Sequence, residues 1–187
     1  AIGTTAVTAT ATDDSGNAST CTFNVTVADT TSPAITCADA PATAEATSSA
    51  GAAVSWTVST QATATDAGDD SVAITYSPAS GSTFAIGTTT VTSTATDDAG
   101  NTSTCTFDVT VADTTSPAIT CAAAPATAEA TSSAGAAVSW TDSTQATATD
   151  AGDDSVAITY SAASGSTFGI GTTTVTATAT DDSSNTS

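Results

Sequence analysis

The amino-acid sequence predicts an all-β protein made of small two-sheet sandwich domains in tandem. The sequence repeats itself, because Cys21 and Cys105, and likewise Trp56 and Trp140, are each 84 residues apart. Within a repeat, apolar and polar residues alternate over several short segments, which is the pattern of half-buried strands. Turn-forming Gly, Pro, Asp and Asn separate these segments at spacings of about 8–12 residues, as in all-β sandwiches.

The clearest predicted element is a β-hairpin between Ala85 and Pro117, and an almost identical copy opens the chain. Its first strand, Thr88 to Asp97, is rich in β-branched residues. The turn that follows contains Gly100 and Asn101, which tolerate the positive φ of hairpin loops. In the second strand, four apolar residues alternate with polar ones and are predicted to face the core; they are Cys105, Phe107, Val109 and Val111.

Five further extended segments precede this hairpin, and no helical periodicity is found. Val54 and Trp56 are predicted to face inward, as are Ile74 and Tyr76. About seven short strands per repeat favour a two-sheet sandwich of the immunoglobulin type. The five segments are residues 34–37, 43–45, 52–57, 61–65 and 72–76.

The repeat divides the chain into three predicted parts. Residues 29–112 form a complete domain, and residues 1–28 carry only the closing hairpin of another. Residues 113–187 form a trailing domain that lacks only its last strand. Two schemes would complete this trailing domain. In one, the chain continues as a longer tandem array. In the other, Thr20 to Val27 of a neighbouring subunit inserts as the missing strand, although the duplicated first hairpin strand is then in excess. A head-to-tail exchange of this kind would build a filament, because it does not close on itself.

The composition excludes several classes of function. The chain has no Lys, Arg or His, and its formal net charge is −19. It therefore lacks the basic surface that nucleic acids or anionic membranes require, and no apolar run is long enough for membrane insertion. Catalysis is not expected and no catalytic residues are predicted, because no basic side chain is available as a general base or anion-stabilising group. The acidity is expected to keep long polymers soluble and mutually repelling.

The repeat resembles the hyalin repeat (HYR) family. Members read approximately DTTxPxITC, then VEATSxAGAxVxW, then PxSGSTFxIGTTTVTxTATDxxGNxxxCTFxVTV, and the matching stretches here are residues 29–37, 44–56 and 78–111. The resemblance covers essentially the whole chain. It implies an extracellular, immunoglobulin-related sandwich that serves in adhesion and scaffolding. Family members often carry a second cysteine pair where this chain has Tyr76 and Ser93, so the resemblance implies one disulfide per domain.

The cysteines are expected to form disulfides in an oxidising compartment. Cys37 lies in the first strand of a repeat and Cys105 in the last, so a bridge between them would close a long loop within one domain. The alternative pairs Cys21 with Cys37 across the linker. We favour the first pairing, which leaves Cys21 and Cys121 to bond with cysteines outside their own repeats.

Acidic residues cluster in turns and linkers and are candidate calcium ligands. Carboxylate oxygens at a domain junction suit Ca²⁺, which would stiffen a tandem array. The alternative is that Asp, Gly and Asn serve here only as turn formers, and no EF-hand spacing is present. The candidate ligands are Asp66, Asp69 and Asp70 in one turn, Asp97 and Asp98 in another, and Asp29 and Asp113 in the linkers.

Every asparagine of the chain lies in an N-x-S/T sequon. Three are predicted at exposed hairpin turns and one on the outward face of a strand, where a glycan would fit. A chain so rich in Ser and Thr also contains sequons by chance. The candidate glycosylation sites are Asn17, Asn24, Asn101 and Asn185.

Together these features predict a structural, extracellular protein whose tandem domains form a stalk or filament by assembling end to end. The alternative is a cell-adhesion module that binds a carbohydrate or protein ligand through its loops. The two copies of the loops differ at few positions, which favours the structural role.

Overall fold

The computed structural model describes residues 2–68 and 71–187, and in these residues the chain is nearly all β-strand, as predicted. Two single turns of helix are the only helical segments described, and neither is long enough to be a candidate membrane span. In chain order the elements are β1 Gly3–Thr12, β2 Ala18–Val27, β3 Ala34–Cys37, β4 Ala44–Glu45, β5 Ala52–Ala53, α1 Val58–Gln61, β6 Ala62–Thr65, β7 Ala73–Ser77, β8 Thr83–Phe84, β9 Gly87–Thr96, β10 Thr102–Ala112, β11 Ala118–Cys121, β12 Ala136–Ala137, α2 Asp142–Gln145, β13 Ala146–Thr149, β14 Ala157–Tyr160, β15 Thr167–Phe168 and β16 Ala177–Thr180.

Strands β3 to β10 form an immunoglobulin-like arrangement of short sheets. The largest sheet has the strand order β4-β10-β9-β7. β7 is antiparallel to β9 and places Tyr76 directly opposite Ser93, whereas β4 runs parallel to β10. The antiparallel pairs β3–β6 and β5–β8 complete the sheet structure of this part.

The alternation predicted for the closing strand is confirmed. Along β10, Phe107 is 6% exposed and Val109 is 1% exposed, while Asp108 between them is exposed to solvent. This strand therefore presents one apolar face to the core and one polar face to solvent.

Contacts divide the chain into two compact units. In the first, Val91, Ala95 and Phe107 are buried. The Trp56 ring packs edge-on against Phe107, with ring centroids 5.2 Å apart, which is a favourable aromatic geometry. This unit comprises Ala1–Asp39, Trp56–Ser80 and Val91–Phe107.

The second unit buries Val54, Phe84, Val109 and Val111. Gly51 has a φ of 103°, and a Cβ at this position would overlap the backbone carbonyl of Phe84. Only glycine fits this turn, both in conformation and in space. The unit comprises Ala40–Ser55, Gly81–Thr90 and Asp108–Ser187.

The prediction of a continuous strand over residues 52–57 is wrong. Only β5 forms a strand there, and α1 follows directly after Thr57, whose carbonyl oxygen accepts the backbone N–H of Gln61 at 3.0 Å. The buried Gln61 side chain donates to the carbonyl oxygen of Asp39 at 3.0 Å. A single helical turn has no second turn with which to form an amphipathic repeat, so periodicity does not reveal it.

Residues 113–187, predicted to form the trailing domain, keep most elements of the preceding repeat but lose strand structure in two places. Residues 171–176, which correspond to the first half of β9, are not in a strand, and neither are residues 128–129, which correspond to β4. In the sheet β4-β10-β9-β7, the counterparts of these two segments, β4 and β9, are the neighbours of β10. The trailing domain therefore lacks strand structure at the two places where a strand equivalent to β10 would pair.

Candidate metal centres and assembly surfaces

Three aspartates that are distant in sequence meet in the first unit. Asp29 lies in the linker after β2, Asp66 follows β6, and Asp97 follows β9. One carboxylate oxygen from each lies within 4.8 Å of the other two. The same arrangement recurs 84 residues later, where Asp113, Asp150 and Asp181 form a second triad within the same 4.8 Å limit. We call these clusters the first and second Asp triads.

A hairpin turn positions the third member of each triad. The backbone N–H of Asn101 donates to Asp97 Oδ1 at 2.7 Å, and its side-chain amide donates to Asp97 Oδ2 at 2.8 Å. The same amide also donates to the carbonyl oxygen of Asp29 at 3.3 Å. In the second triad Asn185 makes the equivalent bonds to Asp181 and Asp113.

These hydrogen bonds keep the turn carboxylate charged. Burial by itself raises the pKa of Asp97, but hydrogen bonds from Asn101 and from turn backbone amides outweigh it and hold the pKa below the ordinary value. Hydrogen bonds to the ionised form of a carboxylate favour that form. Asp97 is therefore an anion at neutral pH.

Asp113 is the most enclosed linker aspartate. It is 8% exposed, and its Oδ1 accepts the backbone N–H of Thr115 at 3.2 Å. Its Oδ2 is buried without a hydrogen-bond partner among the described residues. Gly152 lies against this carboxylate so closely that a Cβ there would be 2.5 Å from the Asp113 Cγ.

The triads contain four of the predicted calcium ligands, namely Asp29, Asp66, Asp97 and Asp113. Asp98 is exposed and lies outside the first triad, and Asp69 and Asp70 lie outside the described residues. Sequence reasoning did not single out Asp150 and Asp181. The 84-residue repeat could have found them, because they are the equivalents of Asp66 and Asp97.

The disulfide forms between Cys37 and Cys105, which confirms the favoured pairing; the alternative, Cys21 with Cys37, is wrong. The hydroxyl of the fully buried Ser93 lies 3.5 Å from Cys37 Sγ, and it is the donor because a disulfide sulfur carries no hydrogen. Cys21 and Cys121 are exposed free thiols.

The candidate glycosylation sites differ in accessibility. Asn17 and Asn24 are exposed, as predicted. Asn101 and Asn185 are half-buried rather than exposed, because their side chains reach back to the linker carbonyls.

The β1–β2 hairpin carries an uncovered apolar face. The sequence of β2 over residues 20–27 differs from that of β10 over residues 104–111 only by Asn24 in place of Asp108. Yet Phe23 is 55% exposed and Val25 is 44% exposed, whereas the equivalent Phe107 and Val109 are buried. We call this surface the hairpin face.

The trailing domain has the complementary defect, a groove along its core. A cavity of about 540 Å³ is lined by the rings of Trp140 and Phe168 and by the side chains of Val138, Ile170 and Val175. A second cavity of about 230 Å³ reaches Cys121, Trp140 and Tyr160. We call these two cavities together the trailing groove.

A sequence model of the HYR domain matches residues 1–27, 28–111 and 112–187, so the matches cover the whole chain. No curated protein matches the chain. HYR domains are extracellular repeat modules, and the intradomain disulfide is consistent with an oxidising environment. The immunoglobulin-like strand arrangement, the repeated Asp triads and these matches all follow one 84-residue period. The chain belongs to the HYR domain family.

Proposed function

We propose that this protein is a structural component of an extracellular filament, in which HYR domains join end to end by strand completion. The observation that supports the proposal is the match between the hairpin face and the trailing groove. One surface offers a strand with a bare apolar side, and the other lacks such a strand.

The packing of the complete domain indicates how the two surfaces would fit. There, Phe107 packs against Trp56, and Cys105 bonds to Cys37. A strand with the sequence of β2, placed in the trailing groove in the same way, would bring Phe23 to Trp140 and Cys21 to Cys121. It would also remove Val25 and Val27, both now largely exposed, from water. Burying an aromatic or aliphatic side chain contributes about 1.5–3 kcal/mol.

Strand exchange has a low cost in backbone hydrogen bonds. β2 now pairs along its whole length with β1. The segment that it would join in the groove, residues 171–180, has the same sequence as β1 apart from Thr174 in place of Ala6. Exchange would therefore replace β1 with a segment of nearly identical sequence as the hydrogen-bonding partner of β2. The burial of apolar side chains then decides the direction of exchange. Exchange would displace β1 from β2, and β1 is the duplicated first hairpin strand that is then in excess.

The completing strand can come from a neighbouring copy or from further residues of the same polypeptide. Both sources produce domains joined head to tail, a contact that propagates rather than closes. With a neighbouring copy, an external disulfide such as oxidised glutathione would accept two electrons from the Cys21 and Cys121 thiols, and the new bond would fasten the junction covalently.

The test adds a synthetic peptide of residues 13–27 to the full chain under oxidising exchange conditions. We expect the peptide to bind and to form a mixed disulfide with Cys121, which mass spectrometry of proteolytic fragments locates. A peptide with Phe23→Asp should bind at least tenfold more weakly, whereas Asn24→Asp, which introduces the residue of β10 at an outward position, should bind equally well.

Electron microscopy and non-reducing electrophoresis of the chain alone identify the source of the strand. Filaments with Cys21–Cys121 bridges indicate exchange between copies. Monomers that nevertheless capture the peptide indicate completion within a longer polypeptide. Failure of the peptide to bind to the monomers would contradict strand completion altogether.

A further inference from the structure

We propose that the second Asp triad, Asp113, Asp150 and Asp181, is a calcium site, and that the first triad is its counterpart in the preceding repeat. The proposal concerns ion binding within each triad and does not depend on filament assembly. In each triad, one aspartate from each of three segments is the proposed ligand, rather than all the acidic residues of a turn.

The enclosed Asp113 carboxylate is the observation that points to a ligand. Its Oδ2 is buried and accepts no hydrogen bond from the described residues, although the side chain is more than nine-tenths buried. Nearly all buried polar atoms in native proteins are paired, and a bound water or ion is one of the explanations for an exception. This oxygen belongs to a carboxylate whose neighbours, within 4.8 Å, are two further carboxylates.

Charge distinguishes an ion from a water molecule at this position. Three carboxylates at this separation repel one another, and a cation would remove the repulsion. The chain cannot supply one, because it contains no Lys, Arg or His. The neutralising charge must therefore come from solution.

The donor set indicates the class of cation. Only oxygen donors are present in the triad, which favours a hard ion over zinc or copper. Calcium binds oxygen at about 2.3–2.6 Å in flexible geometry, so it can span donors up to about 4.8 Å apart without moving them. Magnesium demands a nearly ideal octahedron at about 2.0–2.1 Å and retains its waters, so it is expected to bind more weakly.

Two local features keep the triad open for an ion. Gly152 leaves room for the Asp113 carboxylate, where a larger residue would displace it. Asn185 uses its amide to hold Asp181 and the Asp113 carbonyl, so these groups are placed before any ion arrives. The ion would join the linker to two turns of the domain that the linker enters. With three carboxylates as its protein ligands, the affinity is expected in the range of extracellular modules, about 10⁻⁴–10⁻³ M.

The test is calcium titration of the full chain, stripped with a chelator, by equilibrium dialysis together with thermal unfolding. The parent chain should bind two ions and should melt at a higher temperature in millimolar calcium. Asp113→Asn should bind one ion, and so should Asp150→Asn, a second variant in case the first folds poorly. Asp182→Asn is the matched control, because it removes the same charge from an exposed neighbour of Asp181 and should still bind two ions.

Three results would overturn the proposal. These are a parent chain that binds no calcium, Asp113→Asn and Asp150→Asn variants that both bind as much as the parent, or magnesium binding as tight as calcium binding. If the parent binds a single ion and Asp113→Asn binds none, the result supports the second triad as a calcium site and overturns the assignment of the first.

Discussion

The side-chain amide of Asn101 donates a hydrogen bond to the backbone carbonyl oxygen of Asp29, 72 residues earlier, at 3.3 Å. Asn185 and Asp113 repeat this bond at 3.2 Å. Each bond attaches the linker that enters a domain to the turn of that domain's closing hairpin. The asparagine of the sequon therefore has a structural role in both repeats.

The first prediction concerns this attachment. Asn101→Ala should destabilise β3, which directly follows the linker. The change removes both hydrogen bonds of the Asn101 side chain, to the Asp29 carbonyl oxygen and to Asp97 Oδ2. The expected cost is about 1–2 kcal/mol, measured from hydrogen exchange of the β3 amides. Asn17→Ala is the control. Asn17 makes the equivalent hydrogen bonds to Asp13 in its own turn, but its side chain is exposed. Equal exchange in the two variants would show that the linker bond contributes nothing.

The second prediction concerns glycosylation. Asn101 uses its side-chain nitrogen for two hydrogen bonds, to Asp97 Oδ2 and to Asp29, and a glycan on that nitrogen would leave only one hydrogen for them. Sugar is therefore expected on the exposed Asn17 and Asn24, and at much lower occupancy on Asn101 and Asn185. Glycopeptide mass spectrometry of native material, cleaved at acidic residues, measures the occupancy. Full occupancy at Asn101 would contradict this ranking.

The third prediction concerns pH. Glu45 accepts the backbone N–H of Thr114 and the hydroxyls of Thr114 and Thr115, each at 2.8 Å. These bonds, above all the one from the Thr114 amide, hold the pKa of Glu45 below its ordinary value. A carboxylate whose pKa is lower in the folded state stabilises the fold above its unfolded pKa, and this stabilisation is lost as the pH falls through the folded pKa.

Glu45→Gln should therefore be less stable than the parent at pH 7, and the difference should shrink as the pH falls below the ordinary glutamate pKa of about 4.3 and through the lower pKa of folded Glu45. Urea unfolding across this pH range gives the comparison. Glu129→Gln provides the control, because Glu129 is the exposed equivalent of Glu45 in the trailing domain. A stability difference as large at pH 3 as at pH 7 would show that packing, rather than charge, accounts for the role of Glu45.

The sequence by itself determined the all-β class and the alternation along β10, and it favoured the Cys37–Cys105 pairing without excluding Cys21–Cys37. These properties follow from local periodicity and from repeat spacing, which are visible along the chain. The resemblance to the HYR family placed a second cysteine pair at the positions of Tyr76 and Ser93, and the register of β7 with β9 places these residues opposite each other.

Only the tertiary structure decided which acidic residues meet. Asp97 and Asp98 are neighbours in sequence, yet only Asp97 points to Asp29 and Asp66, because adjacent side chains in a turn leave the backbone in different directions. The path of the chain also decided that Asn101 is half-buried and that Val58–Gln61 is helical. Contacts such as those from Asn101 to Asp29 and from Gln61 to Asp39 join residues far apart in sequence, and no local pattern encodes how the intervening chain returns.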